Sequence, residues 1–124
     1  MDKAPLEIQQ ADEPRGLTVR IAGHVDMRAA EALGDRLMPI CAKRPPLVVL
    51  DLSGVTFIGS MGLGALVTFR KAVIRCAGSL RLAAVPPPIW DIIVHARLEK
   101  MFEKYDTVED ALATPAAPQS PTGR

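Results

Sequence analysis

At 124 residues, with 48% apolar side chains and a formal charge of +1, the chain is sized for one domain around a single modest core. That balance leaves no basic stripe of the kind a nucleic-acid interface needs, and no apolar run is long enough to span a bilayer. The opening MDKAPLEIQQADEPRG has no signal-peptide apolar stretch, so the cytoplasm is the expected location.

In chain order, LEIQQ (6–10) is a weak strand candidate, DEPRG a turn, and LTVRIAG (17–23) a half-buried strand. The last sets Leu17, Val19 and Ile21 against Thr18 and Arg20. The two strands are expected to form a hairpin. HVD follows, with Asp26 placed to cap the next helix. In that helix Leu33, Leu37, Ile40 and Cys41 share one apolar face, and Pro39 is expected to bend or shorten its last turn. LVVLDL (47–52) reads as a central strand covered on both sides, with SGVTFIG as its connection to a helix over 60–77. Leu63, Leu66, Val67, Phe69, Val73 and Ile74 make that helix's apolar face. Arg70 shares the face, its stem packed and its head reaching water.

Gly78 is the expected helix stop, SLRLAAV (79–85) the next alternating strand, and IWDIIVHARL a third amphipathic helix after PPP. MFEKY suggests a short last strand. TVEDALA suggests a terminal helix capped by Thr107 with Asp110 at its third position. Residues 1–113 then form the domain, and 114–124, Pro-rich and poor in apolar residues, a disordered tail. Strands separated by helices predict an α/β domain with a mostly parallel sheet, whose sites lie beyond the strands' carboxyl ends. Cys41 and Cys76 each end a helix. With only His24 and His95 they make no zinc pattern, so packing is their expected role and no metal or cofactor is implied.

The glycine-rich stretch FIGSMGLG carries the functional question. A nucleophile elbow needs Gly-x-Ser-x-Gly, but Ile58 stands where the first glycine should be, and neither histidine has a local signature as a base. A Walker loop would place Lys and Ser/Thr after Gly64, where Ala65 and Leu66 stand instead. The dinucleotide fingerprint fails at Val67. What remains is a hydroxyl at a helix N-terminus. Ser60 is then either a plain helix cap or a position suited to receive a phosphate.

VVLDLSGVTFIGSMGLGALV, between strand and helix, resembles the STAS domain of bacterial anti-sigma factor antagonists, whose pattern there is an apolar strand followed by Asp-Leu-Ser-x-Val-x-Phe-Ile/Met-Asp-Ser-Ser/x-Gly-Leu-Gly. IAGHVD and AGSLRLAAVPPPIWDII match flanking segments, and the likeness spans roughly 6–113. It implies a STAS-like α/β fold, with a four- to five-stranded mixed, mostly parallel sheet and about four helices. It also implies a non-enzymatic protein that binds an anti-sigma factor acting as a serine kinase, with a phosphatase reversing the modification.

The phosphorylated serine corresponds to Ser60, and the implied partner surface is His24, Asp26, Gly59, Ser60, Met61, Gly62 and Leu63. Gly59 stands where the family carries Asp, giving backbone freedom there, and Met61 where a second Ser stands. No cofactor, membrane insertion or direct nucleic-acid contact is implied, and the chain is expected to be a monomer or weak dimer. Two other readings stay open. One is a scaffold or transporter-associated STAS subunit without a phosphoswitch, and the other a small ligand-binding domain or enzyme.

Overall fold

A computed structural model of the chain describes residues 4–115. The order is β1 (Glu7–Glu13), β2 (Gly16–Val25), α1 (Met27–Cys41), β3 (Leu47–Ile58), α2 (Ser60–Arg75), β4 (Ser79–Ala83), α3 (Pro87–His95), β5 (Glu103–Tyr105) and α4 (Val108–Ala113), with a 3₁₀ turn at Glu99–Met101. The strands lie in one sheet in the order 1-2-3-4-5. β1 and β2 form the expected antiparallel hairpin, and every other neighbouring pair is parallel.

The period-2 pattern of β3 sorts its side chains between two cores. Val48, Leu50 and Leu52 pack with Leu33 and Leu37 of α1, Leu66 and Phe69 of α2, and Ile89 and Ile93 of α3. Leu47 and Val49 face the other way, meeting Ala83 and, from α4, Ala111. A sheet traversed in one direction by right-handed crossovers puts successive helices on one face. α1, α2 and α3 accordingly share the larger core, and α4 covers the opposite face.

Both expected caps are present. Asp26 Oδ1 accepts from the Ala29 amide at 3.0 Å, and Thr107 Oγ1 accepts from the Asp110 amide at 3.0 Å. Leu33, Leu37, Ile40 and Cys41 are buried together, as their spacing predicts. Cys41 is buried and Cys76 half-buried, both as free thiols. Burial, and secondarily the neighbouring Cys76, pushes the Cys41 thiol up, so it stays protonated at neutral pH.

Several boundaries differ from expectation. β3 does not end at Leu52 but runs through SGVTFI to Ile58, because β2 continues alongside it. Ala22 pairs with Gly54, Gly23 with Val55 and His24 with Phe57, across two breaks in register. α1 carries Pro39 and reaches Cys41. Beyond it the amides of Ala42, Lys43 and Arg44 bond three residues back, the tight geometry of an unwinding helix end.

α2 ends at Arg75, and the left-handed residue beyond it is Ala77 (φ 65°), not Gly78. Gly78 instead donates to Val73 O at 2.9 Å, the closing bond of a Schellman-type stop. Ile74, read as part of the apolar face, is exposed, and Arg70 is half-buried. Apart from Thr114 and Pro115, the tail expected over 114–124 lies outside the described residues. Among the described residues no helix is long and apolar enough to cross a membrane.

Candidate functional site

The carboxyl ends of β2 and β3 deliver the residues that the sequence singled out. The Gly59 amide donates to Val25 O at 3.0 Å, tying the entrance of α2 to the end of β2. Gly62, in the first turn of α2, sits where a Cβ would lie 2.7 Å from Ile58 Cγ1 and 2.8 Å from Val25 Cγ1. Only glycine lets the helix approach the strand ends this closely. At Gly23, φ is 110° and a Cβ would meet Pro5 O, so the β2 bend also requires glycine.

Ser60 is not the helix cap. The N-cap is Gly59, with no side-chain cap bond, and Ser60 is the first helical residue. Its side chain is exposed, and among the described residues its hydroxyl bonds to neither histidine. His95 is occupied within α3, its Nδ1 donating to Asp91 O at 2.8 Å. Neither histidine therefore forms a serine–histidine pair with Ser60 among the described residues. The first amides of a helix have no intrahelical acceptor, so an uncapped N-terminus presents donors and the positive end of the helix dipole to an anion.

Of the residues expected to form a partner surface, Ser60 and Met61 are exposed, while His24, Asp26 and Gly59 are half-buried. Gly62 and Leu63 are buried and shape the site from beneath. Asp26 is committed to capping α1. The His24 ring stacks on Phe57, with centroids 4.6 Å apart and planes at 19°.

Among the described residues six large apolar side chains are exposed. Met27, Phe57 and Met61 lie at this end of the sheet, and Met38 lines the same cleft as Ser60. Phe57 and Met27 were missed as site residues. Reading SGVTFI as a strand would have set Phe57 opposite the buried Ile58. Among the described residues no group of three or more His, Cys, Asp or Glu side chains gathers to hold a metal.

Gly59 does not use glycine's conformational freedom. Its φ of −91° and ψ of −179° are extended backbone open to any residue, and a Cβ there would meet the Phe57 ring at an ordinary 3.5 Å. Gly59→Asp should therefore fit and cap the helix. We expect a gain of about 0.5 kcal/mol, read as a higher urea midpoint at unchanged m-value.

A mixed sheet in sequential order, three helices on one face and an exposed serine opening the second of them define a single-sheet α/β domain with its accessible end at the strand carboxyl termini. Residues 5–111 match the STAS domain family, and the chain belongs to it. It is 29% identical over 111 residues to the anti-sigma-F factor antagonist RsfB of Mycobacterium tuberculosis, covering 86% of this chain and 87% of RsfB. It superposes on the crystal structure of an anti-sigma factor antagonist from Mycobacterium paratuberculosis with a TM-score of 0.78, at 30% identity, covering 86% and 91% of the two chains. The unphosphorylated form of the antagonist SpoIIAA shares the fold, with a TM-score of 0.70 at 18% identity, covering 85% of this chain and 92% of that one.

Proposed function

We propose that the chain is an anti-sigma factor antagonist that works by partner switching. It binds an anti-sigma factor that is also a serine kinase, is released when that kinase phosphorylates Ser60, and is restored by a phosphatase. Family membership and likeness to named antagonists support the general role. The observation that carries the switch is the exposed Ser60 hydroxyl on the uncapped first position of α2.

The physics is asymmetric between the free and bound states. A phosphate adds roughly −1.5 to −2 charge at neutral pH. In the free domain the helix N-terminus favours that charge. In a complex, the same charge would be buried beside Phe57, Met27 and Met61, where desolvation opposes it. Modification thus breaks the complex without unfolding the domain. On this reading the chain is a cytoplasmic binding protein that is modified, and it catalyses nothing itself.

The test uses each anti-sigma factor kinase of the source genome, purified, with wild type, Ser60→Ala and Ser60→Asp. Wild type should gain one phosphate by intact mass in the presence of ATP, and Ser60→Ala none. Calorimetry should show Ser60→Ala binding like wild type and Ser60→Asp at least tenfold more weakly. Equal affinity for Ser60→Asp and wild type would sink the switch.

A further inference from the structure

The cleft between α1 and α2 begins at Ser60 and Met61 and continues along both helices to Met38 and Thr68, enclosing about 560 Å³. From Met27 to Met38 it follows α1 for about 16 Å, or three helical turns. Leu37 and Phe69 form its floor, and Glu31 is the one ionisable side chain in its lining among the described residues.

Two glycines face its open space. Gly34 of α1 and Gly64 of α2 both line the cleft, and a Cβ added to either would meet nothing within 4 Å. Neither glycine is needed for α1 and α2 to pack together, and alanine at either position would favour the helix. The rim is methionine: Met27 is 70% exposed, Met61 58% and Met38 43%. Such flexible thioether side chains adapt to an incoming apolar surface.

We propose that this cleft is the second half of the partner surface, and that it receives an amphipathic helix of the anti-sigma factor. That helix would present apolar side chains to the floor and a basic residue to Glu31. The inference rests on the reading of the Ser60 end as the anti-sigma factor site. Continuity argues for the same partner, because Ser60 and Met61 belong to both surfaces. The dimensions suit a few turns of helix laid in a groove. The lone Glu31 carboxylate selects a cation beside the apolar anchors and disfavours an acidic segment.

Gly34→Leu and Gly64→Leu fill the cleft from opposite walls, and Glu31→Lys reverses its charge. Each is titrated with the purified anti-sigma factors of the source genome, beside wild type and Ser60→Asp. The leucine variants should melt at or above the wild-type temperature and bind at least tenfold more weakly. Glu31→Lys should also bind more weakly, with the loss greatest at low salt. If a leucine variant melts below wild type, Met38→Glu at the rim replaces it, with the same expected loss. Filled-cleft variants that bind within twofold of wild type overturn the proposal. If Ser60→Asp loses binding while they keep it, the cleft alone falls and the Ser60 reading stands. If wild type binds none of the anti-sigma factors, both fall.

Discussion

Phe69→Ala should lower the unfolding free energy by about 3–4 kcal/mol, a large part of the ~5–15 kcal/mol typical of a domain. Phe69 is fully buried, among the largest side chains of the core, and joins α2 to the sheet through the cluster that contains Val48, Leu50 and Leu52. Its truncation removes more apolar surface from the core than loss of any neighbouring aliphatic side chain. Phe69 also lines the floor of the α1–α2 cleft, so the space left behind opens toward that cleft instead of becoming a sealed void. Water can enter such a space, which keeps the cost at the transfer energy of the ring and below the upper end of the Phe-to-Ala range. Phe69→Leu, which keeps most of the volume, should cost about 1–1.5 kcal/mol. Urea titration with an unchanged m-value is the measurement. A loss below about 1 kcal/mol for Phe69→Ala would mean that α2 repacks onto the strands, contrary to the tight seat of Gly62 against Ile58 and Val25.

The parts of this architecture that rest on local chemistry were legible in the chain. The alternation of Leu17, Val19 and Ile21, the buried face of α1 and the caps at Asp26 and Thr107 follow from periods of 2 and 3.6 and from side-chain oxygens at helix starts. The parts set by pairing were not. SGVTFI has the composition of a turn, yet it stays extended because β2 runs beside it, and tertiary pairing outweighs a weak strand propensity.

The position of Ser60 shows the same limit at the scale of one residue. Whether a serine is a cap or the first helical residue depends on where the strand releases the chain, and here the Gly59–Val25 bond fixes it. That single step turns a hydroxyl that would satisfy the backbone into one left exposed. The cleft was invisible for a further reason. Gly34 and Gly64 lie on different helices, and nothing in either helix's own spacing shows that they line a common space.

Arg81→Ala should cost about 3 kcal/mol and release α4. Arg81 lies on the face of the sheet that α4 covers, and it is only 2% exposed. Its Nη1 donates to Ala111 O at 2.5 Å and to Thr114 O at 2.6 Å, so one charged nitrogen holds the carbonyl end of α4. Its Nε lies 3.3 Å from Glu103 Oε1 as an ion pair without hydrogen-bond alignment, and its guanidinium stands 5.1 Å from the Tyr105 ring centroid.

The Glu103 carboxylate is 57% exposed, so solvent screens that pair and it contributes little. The two carbonyl bonds carry the effect, because bonds from a charged donor are worth about 1.5–3 kcal/mol each and the carbonyls would be left unanswered. A helix of six residues has no stability of its own and depends on such anchors. Arg15 supplies another, its Nη1 donating to Ala113 O at 3.1 Å. Loss of Arg81 should therefore show first as faster amide exchange in α4, followed by a lower urea midpoint.

Arg81→Met separates the causes, because it keeps the buried stem and abandons the carbonyls. If it destabilises nearly as much as alanine, the bonds to α4 are the cause; recovery to within about 1 kcal/mol of wild type would assign the effect to packing. The Tyr105 phenol offers a second readout. Burial pushes it up while Arg81 pulls it down, so with α4 still seated loss of the guanidinium moves its titration further up, whereas release of α4 reduces the burial and opposes that rise.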